Sequence, residues 1–496
     1  MNSNPQKNLL HDSGICAIEC VTRLARLAAR ILFASALVLT ASLAFESPAA
    51  GQNNVEQTTV DRAPNIVLII SDDQAWTDYG FMGHEVIETP NIDRLARQSA
   101  VFRRGYVPTA LCRSSLATLI TGHYAHRHGI TGNDPAPVRN GGNEYKQLRA
   151  RLISHLDNFQ TVPRLLSEQG YISHQSGKWW EGSYLRGGFT AGMTRGFPNQ
   201  GGRHGDDGLE IGRQGMEPVF SFIDDAAEQG RPFFVWYAPF LPHTPHNPPE
   251  RLLEKYTSSD RSRHVAKYYA MCEWFDETVG ALVDHIDESG QRENTMIIYV
   301  TDNGWIQRED RGGFAPRSKQ SPNEGGTRTP IMFSWPGTIA PADRPELCSS
   351  VDIVPTILSA TGSQTPERLP GLDLMSALKD GAAIDRQSIF GEQFSHDVAD
   401  VLNPQASLNY RWVIHGQWKL ILTYDGSLGR VGYPPTDFRP QLYDLLSDPF
   451  EKENVAAANP DAVAALAQEI EAWWPVDQRT TVTRWSDEPV VLETGQ

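Results

Sequence analysis

Short apolar runs recur along the chain, and each stops at polar or turn residues. They fall at 65–70, 233–237, 296–300 and 331–335 and are rich in Val, Ile, Phe and Tyr. Runs of this length without polar alternation predict strands buried on both faces, as in a parallel sheet. Between them the apolar residues take helical spacing, at 91–98, 162–169, 219–227 and 268–286. This alternation predicts an α/β fold: a large, mostly parallel central sheet flanked by helices. In such sheets ligands bind beyond the carboxyl ends of the strands, so the residues just after each run are where chemistry is expected.

The pattern changes after about residue 403. Segments 411–415, 419–423 and 441–444 read as short antiparallel strands and 461–473 as a helix, which together predict a small C-terminal sheet-and-helix unit. The Gly- and Pro-rich stretch 187–215 has no apolar periodicity and is expected to loop over the active-site face. At the N-terminus, Arg23, Arg26 and Arg30 precede an apolar run at 31–45, and the small residues SPAAG follow. This is the pattern of a secretory signal, and the run is short for the ~20 residues of a spanning helix. An uncleaved anchor is the competing reading. The expected organisation is a signal and leader over 1–50, a catalytic domain over 61–402, a small subdomain over 403–480 and a tail over 481–496. The mature protein is expected outside the cytoplasm, periplasmic or secreted, without a stable membrane span.

Of the 496 residues, 40% are hydrophobic and 21% charged, which is a globular composition. Forty-four Lys and Arg against 60 Asp and Glu give a net charge of −16. That excludes a sequence-independent nucleic-acid binder, which needs clustered basic residues, but leaves room for a local basic pocket. Two of the five cysteines, Cys16 and Cys20, lie in the leader. The remaining Cys112, Cys272 and Cys348 are too few for a disulfide framework, and the last two read as buried thiols.

The candidate chemistry sits where the strands end. The first run stops at Asp72 and Asp73, and the run at 296–300 is followed by Asp302 and Asn303. Adjacent carboxylates repel unless a cation lies between them. Each pair alone is also a common turn sequence. Together they supply three carboxylates and one amide oxygen, hard ligands that suit Ca²⁺ or Mg²⁺ and not zinc. A third segment, LCRSSLATLITG, reads as a helix with Cys112 near its N-terminus. There the N–H groups and the dipole favour an anion or an activated sulfur, although a buried cysteine is the plainer alternative. Trp179 and Trp180 suit either stacking on a sugar or aryl ring or core packing. The run GGRHGDD at 201–207 suits a solvated loop better than a binding element.

Eight pieces in order, NIVLIISDDQ, TPNIDRLA, LCRSSLATLITG, SGKWW, PHTPH, TDNG, Lys319 with NEGGTRTP, and QLYDLLSDPFEKEN, extend from Pro64 to about Asn454. Over this span the chain resembles the formylglycine-dependent, arylsulfatase-like sulfatases of the alkaline-phosphatase superfamily. The resemblance implies that Cys112 is oxidised to formylglycine by a maturation enzyme before folding, and that its hydrated aldehyde is the nucleophile. It implies metal ligation by Asp72, Asp73, Cys112, Asp302 and Asn303, with calcium preferred over magnesium. Lys178 and Lys319 match the sulfate-binding lysines, His243 the histidine near the leaving oxygen, and Arg127 a basic position behind the nucleophile helix. The implied reaction is in-line attack on a sulfate ester, a covalent sulfo-enzyme, protonation of the alcohol by His243 or Lys319, and expulsion of sulfate through the second hydroxyl. Sulfated carbohydrates are the expected substrates, with aryl sulfates the lesser choice.

The chain departs from the family pattern in two places. Ser114 and Leu116 stand where proline and arginine follow the family cysteine, and Trp180 stands where a histidine follows Lys178. Arg113 is adjacent to Cys112, but at ~100° per residue it points in a different direction from a residue at the fourth position. His174, His204 and His246 are the candidates for the missing histidine. Two other functions remain open to the sequence. One is a phosphodiesterase or phosphonate monoester hydrolase of the same superfamily, whose substrates carry the same charge. The other is a non-catalytic sulfated-glycan binder with Cys112 unmodified.

Overall fold

The run NIVLIIS forms a strand, β1 (Asn65–Ser71), with every residue buried. In the computed structural model, which describes residues 63–137, 142–366, 368–424 and 437–476, it lies mid-sheet. The leader and the tail lie outside the described residues.

In chain order the other strands of this sheet are β2 (Ala100–Tyr106), β3 (Ile172–Gly177), β4 (Ala191–Gly192), β5 (Phe233–Ala238), β6 (Thr295–Thr301), β7 (Arg328–Ser334), β8 (Ala342–Arg344) and β9 (Cys348–Ser349). The order across the sheet is β9-β2-β7-β6-β1-β5-β3-β4, with β8 also beside β2. β1 pairs in parallel with both β5 and β6, and β3 in parallel with β5. β7 corrects the expectation of a fourth parallel strand, because it runs antiparallel to β2 and to β6. It is covered on both faces like its neighbours, so its apolar run carries no sign of direction.

Side chains alternate between the two faces of the sheet. Ile66, Leu68 and Ile70 enter one core with Phe234, Trp236, Met296 and Ile298. Val67 and Ile69 enter a second core with Val235, Tyr237, Ile297 and Tyr299. Each core is closed by helices. The second takes the apolar stripes of α1 (Pro90–Arg97), α4 (Glu217–Glu228) and α5 (Arg263–Glu288). The first takes α2 (Cys112–Thr121), α3 (Val162–Ser167) and α6 (Ile353–Ala360). The result is the predicted sheet between two helical layers. All ten residues of α2 are buried, so it lacks an exposed face, and it stops at Gly122, which takes φ +72°. A Cβ there would meet Val354 Cβ at 2.9 Å, so the position accepts glycine on both counts.

A second, antiparallel sheet has the order β10-β11-β12-β13, formed by β10 (Ser388–Phe394), β11 (Leu408–His415), β12 (Trp418–Thr423) and β13 (Gln441–Asp444). The helix α7 (Pro460–Trp473) packs Leu466 and Ile470 against it. Its edge strand β10 lies upstream of residue 403. No helix among the described residues is long and apolar enough to cross a membrane. Cys112, Cys272 and Cys348 are all buried and free.

Candidate active site

β1, β3, β5 and β6 are parallel, so their carboxyl ends share one edge of the sheet. β1 leads into Asp72 and Asp73, β6 into Asp302 and Asn303, β3 into Lys178, and β5 into the loop that carries His243. Gly177 allows this convergence. It takes φ +84°, and a Cβ would lie 1.9 Å from the Ala238 carbonyl oxygen. Asp73 also has positive φ, at 67°, held by its N–H donating to Asp302 Oδ1 at 3.1 Å. The Asp72 N–H donates to the Leu241 carbonyl at 3.0 Å and ties β1 to the His243 loop.

The side chains close into one cluster. Ligand atoms of Asp72, Asp73, Cys112 and His243 lie within 4.8 Å of one another. Cys112 Sγ is 3.9 Å from both Asp72 Oδ1 and Asp73 Oδ1. Lys178 Nζ is 2.7 Å from each carboxylate oxygen of Asp72 and 3.9 Å from Asp302 Oδ2. Lys319 Nζ donates to Asp73 Oδ1 and lies 3.0 Å from Cys112 Sγ. His243 Nε2 is 3.3 Å from Asp73 Oδ2, and its Nδ1 donates to the Thr244 carbonyl. Asp73 Oδ2, Asp302 Oδ2 and Asn303 Oδ1 are buried without a hydrogen-bond partner.

Burial dominates the electrostatics here. It raises the carboxyls of Asp72 and Asp302 despite the opposing charge of Lys178. It pushes the Cys112 thiol up against the pull of Lys178 and Lys319. It works against the Lys178 ammonium too and is the largest single effect there, but Asp72, Cys112 and Asp302 together outweigh it and hold that lysine above its usual range. Lys319 is held up likewise, chiefly by Asp73. His243 is held well below the usual imidazole range by burial, with Lys178 and Lys319 adding to it. Buried acceptor oxygens without donors are costly in a protein interior. Three of them converging from two strand ends form a donor set suited to a hard divalent cation.

Cys112 is the first residue of α2. The next N–H, of Arg113, donates to Asn133 Oδ1 at 3.2 Å. The Arg113 guanidinium turns away from the cysteine and pairs with Glu181 through two bonds of 2.7 Å. It also donates to the Asn133 carbonyl at 3.1 Å. Leu116 enters the core. The loop that carries Lys319 is fixed from the second sheet. Lys419, buried, lies 2.9 Å from Glu324 and 3.2 Å from Glu451, and Glu451 accepts from the Glu324 N–H at 2.9 Å.

A cavity of about 750 Å³ opens above Cys112, Lys178, His243 and Lys319. Trp180 and His204 line it. His174 and His246 do not, so among the three candidate histidines only His204 faces the cavity. Its ring packs on Trp180 and Phe240, at 5.2 and 5.3 Å between centroids, and its Nδ1 is buried without a partner. Burial, then Lys178 and Arg203, lowers it to about 3. Arg127 is placed apart. It is exposed in the short helix Ala125–His128 beyond the far end of α2, and it lines a different cavity with Trp473 and Arg386.

Sequence reasoning missed Asn133, Glu181, Arg203 and the His396–Asp397 pair, which reaches the site through a His396 Nε2 contact of 3.2 Å to Asn133 Nδ2. Only Glu181, which follows Trp180 directly, and Arg203, which precedes His204 in the run read as a solvated loop, stand beside a residue of the expected site.

A family model described as Sulfatase matches residues 64–363. A second, described as N-sulphoglucosamine sulphohydrolase, C-terminal, matches 318–473. Arylsulfatase A of Homo sapiens is 30% identical over 82% of this chain and 87% of its own length. N-acetylgalactosamine-6-sulfatase of Canis lupus familiaris is 30% identical over 65% and 67%. Among solved structures, Ps i-CgsB in complex with k-i-k-neocarrahexaose superposes with a TM-score of 0.65 at 25% identity, over 86% of this chain and 95% of that one. With its strand-end carboxylates, its buried cysteine and lysines, and a family model covering most of the chain, the protein belongs to the sulfatase family of the alkaline-phosphatase superfamily and is a sulfuric ester hydrolase.

Proposed function

We propose that the protein is an exported carbohydrate sulfatase. Its nucleophile is a formylglycine made from Cys112, and it uses a divalent cation, calcium before magnesium. One observation carries the reading: Asp73 Oδ2, Asp302 Oδ2 and Asn303 Oδ1 lie buried without a hydrogen-bond partner beside a cysteine at a helix N-terminus. Asp72, Asp73, Asp302 and Asn303 would hold the cation, with the modified side chain of residue 112 as a further ligand. Bound there, the cation supplies Lewis-acid polarisation and offsets the charge of the sulfate group. The formylglycine supplies a second hydroxyl, through which sulfate can leave. The bare thiol is a poor alternative nucleophile, because burial keeps it protonated.

The remaining roles fall to this chain's own side chains. Lys178 and Lys319, already in the charged form, bind the sulfate oxygens and stabilise the charge that spreads over them. The first-turn N–H groups of α2 add a fixed positive field at residue 112. His243 is oriented by its Nδ1 bond to the Thr244 carbonyl, which turns Nε2 toward the departing alcohol oxygen; the proton that oxygen takes comes from His243 in its doubly protonated form or from Lys319, which is held charged. His204 takes the sulfate-facing position that Trp180 vacates. Carbohydrate substrates fit the cavity volume, and they agree with the neocarrahexaose in the Ps i-CgsB complex.

The test is sulfate release from a panel of sulfated saccharides and aryl sulfates by chain produced with a maturation enzyme. Chelation should abolish turnover and calcium should restore it. Asp302→Asn should lower kcat by at least about 100-fold, the scale of losing a charged group at the reacting centre. Full activity in metal-free protein would refute the cation's role.

A further inference from the structure

The cavity is lined by more cationic side chains than the two that would hold a single sulfate ester. Besides Lys178 and Lys319 at its floor it presents Arg203, Arg308 and Arg311, and no carboxylate is among the described residues lining it. Lys178, Lys319 and Arg203 are paired with Asp72, Asp73 and Asp134 behind the wall, so the guanidinium groups that face the mouth beyond those pairs are those of Arg308 and Arg311.

The arginines are held in place. Arg203 lies over Trp180, 4.7 Å from the ring centroid, and bonds Asp134 with its other edge. Arg308 and Arg311 sit on the loop that follows Trp305. Gln307, buried, fastens that loop from inside: its Nε2 donates to the carbonyls of Arg308, Arg311 and Gly313 at 2.9, 3.1 and 3.2 Å. Trp305 Nε1 orients Gln307 by donating to its Oε1 at 3.2 Å. The Arg308 N–H closes on the Gly313 carbonyl at 3.1 Å, and the Ala315 N–H on that of Ile306 at 2.7 Å. The loop's backbone is thus tied by buried bonds while its arginine heads reach the mouth. Arg308 pairs with Asp310 at 2.9 Å, but Asp310 is exposed, and an exposed pair of this kind exchanges readily for a ligand anion.

We propose that this loop forms a recognition site for a second anionic group, sulfate or carboxylate, on a sugar adjoining the one whose sulfate ester is hydrolysed. Arg308 and Arg311 are its specificity-determining residues. The inference rests on the sulfatase reading and narrows it to oligosaccharides charged on neighbouring sugars, ahead of simple aryl sulfates and singly charged sugars. Guanidinium groups suit this task because they bind sulfate or carboxylate through two parallel bonds.

The test uses full-length, calcium-loaded Cys112→Ala protein, which binds without turning over. Calorimetry gives its affinity for a monosulfated disaccharide, for the same disaccharide with a second sulfate on the neighbouring sugar, and for its uronate counterpart. The doubly charged ligands should bind about tenfold tighter, equivalent to ~1.4 kcal/mol. In Arg308→Gln and Arg311→Gln versions that ratio should fall below about threefold, and raised salt should shrink it as well. Thermal melts confirm that the variants are folded. Equal affinities in the parent, a ratio kept in both arginine variants, or no binding of any disaccharide would overturn the proposal. Failure of the sulfatase reading would show separately, as no sulfate release from any ester by the matured wild type.

Discussion

Glu181→Ala removes the carboxylate that anchors the helix bearing Cys112. The Arg113 side chain has no solvent exposure and that of Glu181 has 4%, so the guanidinium would be left charged in the interior. What remains is the bond to the Asn133 carbonyl at 3.1 Å and the Trp180 ring at 5.9 Å. Removing one partner of a buried pair costs about 3–5 kcal/mol. Unfolding entropy of ~2.1 cal/mol/K per residue, taken over Asp61–Gln496, gives about 0.9 kcal/mol/K. The midpoint of thermal unfolding should therefore drop by about 3–6 °C. Replacing the pair with Arg113→Met and Glu181→Leu together should recover at least half of that loss, because no unpaired charge remains. Because Arg113 follows Cys112 directly, the single variant should also lose sulfate release by about 10- to 100-fold through misplacement of the nucleophile. Calorimetric melts and a sulfate-release assay read both effects. A single variant melting within about 1 °C of the parent, or a double variant no more stable than the single, would refute the reasoning.

His243→Ala should slow sulfated sugars far more than activated aryl sulfates, since a good leaving group needs little protonation. Equal losses on both in a kcat comparison would reassign His243 to binding. In the second core, Asp276 on α5 accepts from the N–H groups of Asn91 and Ile92 at 3.2 and 2.7 Å, and so caps α1 from another helix. Asp276→Ala should cost about 2–3 kcal/mol by leaving those donors unpaired, and Asp276→Asn less, as read from melting midpoints.

The central strands and their chemistry were legible because β1, β5 and β6 are covered on both faces and end at the residues that matter. β3 was not. Its sequence ISHQSG is polar yet fully buried, with Ser176 Oγ donating to the Trp236 carbonyl and Gln175 Nε2 to that of Gly177. Such internal bonding satisfies polar side chains without leaving an apolar run to read. β2 was hidden differently, by the part-exposed Arg103 and Arg104, which interrupt its apolar run. Arg127 shows how sequence proximity and spatial proximity differ. It stands near Cys112 in sequence, but the ten residues of α2 rise ~15 Å and carry it to another surface. His396 arrives from a loop far along the chain, and Asn133 and Arg203 from loops between the motifs, and no local pattern marks such approaches.

The chemical state of residue 112 decides whether this site works as proposed. Chain produced with and without a formylglycine-generating enzyme should be digested, the peptide containing Cys112 analysed by mass spectrometry, and sulfate release measured on the same preparations. Conversion replaces sulfur and two hydrogens with one oxygen. The converted fraction should rise with coexpression, and turnover should rise in proportion to it, despite Ser114 and Leu116 in the motif. Undiminished turnover in a preparation whose Cys112 is entirely thiol would contradict the assignment and place the nucleophile elsewhere.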